Sequence, residues 1–205
     1  MYFIETIIVI GVVWSLWGYF TSRTEQTDYS VIEVKRDYEI RLYPPHIVAE
    51  TTVQGPYKEA LSQGFRIVAG YIFGGNTKKE RIAMTAPVVE QPAHESIAIT
   101  APVMATIDGE YHTIAFGMPR SYTLETLPTP NDPRVKIVTL PEKKMAVLRF
   151  SGFRTTERIL MKKQALINAL KRDQIETLGE PQYAGYNAPW TPPWLMRNEV
   201  LIEIN

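Results

Sequence analysis

Residues 31–43 alternate apolar and polar side chains on both sides of Arg36-Asp37. A period of two belongs to a strand with one wet face, and the charged pair between the runs marks a turn, so this stretch predicts a β-hairpin. "HIVAETTVQG", residues 46–55, predicts a further strand. After Gly55-Pro56 the period changes. Leu61, Phe65, Val68 and Ile72 fall at i, i+4, i+7 and i+11, the spacing of a helix with one apolar face. A helix is expected over 57–73, opened by Pro56 and stopped by Gly74-Gly75-Asn76.

The same grammar recurs. "MAVLRFSG", residues 145–152, is a strand ending in glycine, and residues 153–174 predict a helix. Ile159, Leu166, Ile167 and Leu170 share its apolar face, with Thr155 or Thr156 as N-cap. Gly55 and Gly152 hold equivalent places. Strands are expected at 82–89, 97–104, 111–117, 135–140, 182–186 and 199–204. The fold class this implies is α+β. A duplicated unit forms two antiparallel sheets closed into a distorted β-barrel, with one flanking helix per half. Each unit is half the domain, so this is duplication rather than a solenoid.

"IAMTAPV" at 82–88 is nearly repeated by "IAITAPV" at 97–103. A turn at "EQPAHES" would fold one copy back on the other. Proline has no N–H to give to a ladder and is tolerated at a sheet edge or bulge. The two prolines therefore either bend matched points of the barrel wall, opening one end, or protect an exposed edge from pairing.

The beginning of the chain breaks the pattern. Residues 6–20, "TIIVIGVVWSLWGYF", carry no charge, and Glu5 is the one charged residue in 1–20. About 20 apolar residues span a bilayer core. Trp14, Trp17 and Tyr19 cluster at the end of the segment as an interfacial belt would. The expected organisation is a transmembrane anchor over 1–20, a polar linker over 21–28 and a globular domain over 29–205. Arg23, Lys35 and Arg36 follow the segment and no Lys or Arg precedes it, which places the domain on the cytoplasmic side.

Composition narrows the chemistry. With 22 basic and 22 acidic residues the formal net charge is zero, and no basic stripe invites nucleic acid. The absence of cysteine removes disulfides, thiolate metal sites and cysteine nucleophiles together. No serine-hydrolase elbow, phosphate loop or H-E-x-x-H pattern occurs. Glu39, Glu50 and Glu199 fall on strands, where a barrel interior could use one as an acid or base.

"IAMTAPV", "AFGMPRSYTLETLPTPNDPRV" (115–135), "RFSGFRTTERI" (149–159) and "GYNAPWTPPWLMRNEVLIEI" (185–204) resemble, in this order, the SOUL haem-binding protein family. The resemblance covers essentially the whole domain. It implies a duplicated β-barrel with two helices, related to gyrase-inhibitor-like ligand-binding domains, and a protein that binds haem or another porphyrin. In one eukaryotic member a histidine just after the "YEIR" strand is associated with the iron. Here "YEIR" is Tyr38 to Arg41, the next residue is Leu42, and His46 is the nearest substitute, so His46 is the candidate metal ligand.

Without a strong axial ligand, haem is held by burial of its faces, worth roughly 25 cal/mol per Å², and by cations on its propionates. The matching candidates are Phe65, Arg66, Ala69 and Phe73 on the first helix, with Tyr186, Trp190, Trp194 and Arg197 near the C-terminus. Gly64 and Gly70 would let a flat ligand approach the helix. For Phe65 and Ala69 ordinary core packing is an equal reading. "PWTPPW", 189–194, is a stiff aromatic loop suited to covering a ligand or meeting a membrane interface. Other flat apolar ligands, hydrolysis of a small molecule and a protein-interaction role stand as alternatives.

Overall fold

The computed structural model describes residues 26–79, 81–83, 85–92, 111–187 and 190–205. In chain order these form β1 (Ser30–Val34), β2 (Glu39–Tyr43), β3 (His46–Gln54), α1 (Tyr57–Ile72), β4 (Val88–Pro92) and β5 (Tyr111–Gly117). There follow β6 (Lys136–Leu140), β7 (Lys143–Phe150), α2 (Thr156–Arg172), β8 (Thr177–Gly185) and β9 (Asn198–Ile204), with a 3-10 turn at Pro193–Leu195 before β9.

Against the expectation of two sheets, the strands make one antiparallel sheet, ordered β1-β2-β7-β9-β8-β4-β5-β3-β6 and curled into a half-barrel. The duplication is visible in that order. β3-α1-β4-β5 and β7-α2-β8-β9 are mirrored about the β8–β4 pair. The strands leading each unit are exchanged: β2 pairs with β7 of the second unit, and β6 with β3 of the first. Pro44-Pro45 and Pro141-Glu142 are the two-residue links that carry the chain from β2 to β3 and from β6 to β7. These exchanged strands tie the ends of the curl together, which a hairpin-by-hairpin reading of the sequence does not foresee.

Each helix is fixed by the glycine ahead of it. Gly55 (φ 138°) and Gly152 (φ 99°) both take positive φ, a region other residues enter only at a cost, so the chain can turn sharply from strand to helix. Thr155 caps α2 by accepting from the Arg158 N–H at 3.3 Å.

Both helices pack on the outer face of the sheet. Leu166, Ala169 and Leu170 of α2 meet Ala146 and Leu148 of β7 and Val200 and Ile202 of β9. Val68, Tyr71 and Ile72 of α1 meet Ala49 of β3 and Ile114 and Phe116 of β5. Each buried Leu, Ile, Val or Phe among these contributes roughly 1.5–3 kcal/mol. Gly64 admits protein rather than ligand: a Cβ there would stand 2.5 Å from Ile114 Cδ1. Gly70 faces open space.

The first TAPV copy corrects the expected strand at 82–89. Pairing begins at Val88, immediately after Pro87, because proline has no N–H to offer. β4 then lies inside the sheet between β5 and β8, so neighbours other than 96–105 already take its rungs at Val88–Glu90. The second TAPV copy and His94 lie outside the described residues, as do residues 1–25, where the anchor and most of the linker are expected. No helix among the described residues is long and apolar enough to cross a membrane.

Candidate functional site

The inward positions of the strands carry a second, smaller core. Tyr43 of β2, Met145 and Val147 of β7, Ala184 of β8 and Leu201 of β9 pack together with Tyr186 and Ala86. Residues 26–29 cross this concave side. Gln26 bridges to Ala86, and the Thr27 N–H donates to the Ala86 carbonyl at 3.0 Å.

One end of the concave side holds a buried charge network. Glu199 is 0% exposed. Its Oε2 accepts from Arg41 Nη1 at 2.9 Å and from the Tyr186 hydroxyl at 2.7 Å. Its Oε1 accepts from Arg197 Nε at 2.9 Å and Nη2 at 2.8 Å. The Arg41 guanidinium lies 4.2 Å from the centre of the Tyr29 ring, and that of Arg197 3.9 Å from the centre of the Tyr186 ring. Four donors thus fill the acceptor sites of one carboxylate. Glu199 is spent on structure, not offered as an acid or base. Burial works against charge on both arginines, and the Glu199 carboxylate more than offsets it, raising both pKa values. Burial, then the Glu199 charge, pushes Tyr43 up to about 12 and raises Tyr186 as well.

Tyr38, Tyr71 and Tyr183 are also pushed up to about 12, burial being the first cause in each. A tyrosine with a raised folded-state pKa holds its proton more tightly when folded. The stability it contributes is complete below its ordinary pKa of 10.0 and is lost as pH rises through about 12. An alkaline titration should therefore show one set of tyrosinates forming near pH 10 and a late set forming together with loss of far-UV circular dichroism. A single transition near pH 10 with structure retained would contradict this burial.

Beyond Tyr43 the concave side opens into a cleft of about 690 Å³, counting the space at its mouth. Its enclosed part holds about 80 Å³, so most of that space is an open mouth rather than a closed pocket. Val48, Val89, Ala115, Leu140, Met145 and Leu201 form an apolar wall, and Tyr43, His46, Glu50 and Lys143 are the ionisable residues that line it. His46 begins β3, directly after the Pro44-Pro45 link. Its Nδ1 lies 2.9 Å from the Pro44 carbonyl. A carbonyl only accepts, so Nδ1 carries the proton, and in the neutral imidazole Nε2 then keeps the lone pair a metal ligand needs. Lys143 pairs with Glu203 at 2.6 Å. Among the described residues no group of three His, Asp or Glu converges on a metal site.

The residues singled out in the sequence do not share one surface. Ala69 packs under α1, while Phe65, Arg66 and Phe73 are on the exposed side of that helix, outside the sheet. Phe65 rests on Phe116 with ring centres 5.3 Å apart. Tyr186 and Arg197 belong to the Glu199 network on the inner side, and His46 to the cleft. Trp190 and Trp194 are exposed in the loop before β9. The reason is layer order: α1 covers the outer face, and the sheet stands between it and the C-terminal residues it was paired with.

A second buried cluster lies on the helix side. Glu90 of β4 receives His112 Nδ1 at 3.1 Å and lies 3.7 Å from Lys163 Nζ of α2. The Tyr57 ring of α1 stands edge-on to His112 at 5.5 Å. The sequence left this cluster unseen because its members come from four elements. Arg41 was the readable signal of the inner network, being a charged residue at an inward position of an apolar strand.

Known proteins agree with this architecture. A family model described as SOUL heme-binding protein matches residues 24–203. Heme-binding protein 2 of Homo sapiens is 29% identical over 155 residues, 74% of this chain and 71% of its own. The Mus musculus protein of the same name is 28% identical over 176 residues, 81% of each chain. Among solved structures, the EcmrR C-terminal domain superposes with a TM-score of 0.58 at 10% identity, over 82% of this chain and 98% of that one. A hydrolase from Listeria innocua gives 0.53 at 13%, over 85% and 94%. At such identities these two show a shared fold and nothing more. The family model spans nearly all of both units, and the chain belongs to the SOUL haem-binding protein family.

Proposed function

We propose that the chain binds haem or another porphyrin with the macrocycle against the apolar wall of the concave cleft. The observation that carries this is His46: an imidazole lining a greasy cleft, with Nδ1 held by the Pro44 carbonyl so that Nε2 is the free donor. The imidazole and the apolar wall suit the group's chemistry, and the macrocycle would sit in the open mouth, since the enclosed part of the cleft holds about 80 Å³. Haem, when bound, would supply a Lewis-acidic iron that an imidazole can ligate. Val48, Val89, Ala115 and Leu201 would shed water from its faces, His46 would offer nitrogen to the metal, and Lys143, which pairs with Glu203 at 2.6 Å, would share its charge with a propionate. The family membership and the name carried by both mammalian relatives support the ligand class. The chain's role would be buffering, delivery or sensing of haem, with residues 1–20 as the expected membrane tether, a reading that the uncharged run over residues 6–20 supports.

The test compares ferric haem with iron-free protoporphyrin on the full-length chain in detergent. The iron form should bind roughly tenfold or more tightly, about 1.4 kcal/mol, with a Soret shift that marks ligation. His46→Ala should remove both while leaving the affinity for the iron-free ring unchanged. Equal affinities in the unaltered protein would reject ligation by His46.

A further inference from the structure

We infer that the surface carrying Phe153, Trp190, Trp194 and Leu195 lies against the lipid interface, seating the domain on the bilayer rather than leaving it to swing from its tether. This rests on the tethered reading above. Four large apolar side chains are exposed here, Phe153 by 62%, Trp190 by 61%, Trp194 by 59% and Leu195 by 39%. They come from two turns that the fold pins together. The Gly152 N–H donates to the Pro193 carbonyl at 2.9 Å, and Asn198 Nδ2 to the Gly152 carbonyl at 2.9 Å.

Tryptophan at a surface is costly in water and at home in the headgroup region, where its ring and N–H are both satisfied. Arg154 and Arg158 flank the patch and are exposed. They reach the Asn187 and Ser151 carbonyls and have Glu157 as their acidic neighbour in sequence, so the rim suits anionic headgroups.

The course of the chain points the same way. Gln26, where the described chain begins, accepts through Oε1 from Arg197 Nη1 at 2.8 Å. Arg197 is three residues from Trp194. Phe20, the end of the apolar segment, precedes Gln26 by six residues, which reach at most about 20 Å even fully extended. A segment in the bilayer therefore holds this end of the domain close to the headgroups. The opposite end of α2 is tied to the β1–β2 turn by Arg172 and Asp37 at 2.7 Å, some 25 Å away along a 17-residue helix.

The chain has no cysteine, so single labels are unambiguous. Nitroxides are placed at Phe153→Cys and, as control, at Val34→Cys on the far end, 71% exposed. The full-length protein is reconstituted in vesicles of phosphatidylcholine with phosphatidylglycerol. The ratio of collision with lipid-soluble oxygen to collision with an aqueous nickel complex should be several-fold higher at 153 than at 34. Trp190→Ser with Trp194→Ser should shrink the difference. Equal, water-like ratios at both positions in protein that sediments with vesicles would overturn the seating while sparing the tether. Protein that does not sediment with vesicles would overturn both. Spin–spin broadening at 153, from a second copy seated on the patch, would also overturn it.

Discussion

Glu199→Ala is expected to lower the free energy of unfolding by about 3–5 kcal/mol, the cost of removing one partner from a buried ion pair. The carboxylate is enclosed by four donors from Arg41, Arg197 and Tyr186. Without it, two guanidinium groups face each other across the inner end of the half-barrel. Arg197 is partly exposed and can turn toward water. Arg41 cannot: its side chain is 2% exposed and its remaining carboxylate partner is Glu39, which stands partly in solvent. At about 2–4 °C per kcal/mol for a chain of this size, the melting temperature should fall by roughly 6–20 °C. Glu203→Ala supplies the contrast. It breaks the Lys143 pair at 2.6 Å, but both partners keep contact with water, so the change should stay below about 1 kcal/mol. Urea denaturation of the two variants gives the comparison. Similar midpoints for both would mean that the Glu199 network does not hold the inner end together.

Ala115→Phe is expected to abolish porphyrin binding, reducing affinity for both the iron and the iron-free ring more than about a hundredfold, or 2.7 kcal/mol. Ala115 lies on β5 beside Val89 and Glu50, and its side chain lines the cleft wall. A phenyl ring there projects into space the macrocycle needs, while the outer face and both helices are untouched. Phe73→Ser on the exposed flank of α1 should leave binding unchanged. The pair separates the inner cleft from the groove beside the first helix that the sequence suggested. Loss of binding in Phe73→Ser with retention in Ala115→Phe would return the site to the helix. Far-UV circular dichroism and unfolding midpoints matching the parent protein would show that neither effect is misfolding.

Short-range periodicity made most of the elements readable. The helix expected at 57–73 forms over Tyr57–Ile72, and Thr155 is the N-cap of α2. The strand expected at 111–117 is β5 (Tyr111–Gly117). Where runs were interrupted, boundaries moved. β8 extends from the expected 182–186 back to Thr177, through Gly179 and an irregularity before Gln182. Glycine and proline weaken the strand pattern there, but pairing with β9 restores it.

By itself the sequence determined the alternation of strand and helix, the two glycine hinges that open each helix, and the duplication. All three depend on residues a few positions apart, where backbone sterics and burial periodicity act locally. Only the tertiary structure decided that β2 and β6 change places between the units, that the sheet curls as one, and that His46 meets the inner cleft while Phe65 and Phe73 stand outside it. Those outcomes depend on which distant strand supplies each missing hydrogen-bonding edge, and in a curled sheet that choice sets which face of every strand meets ligand and which meets helix.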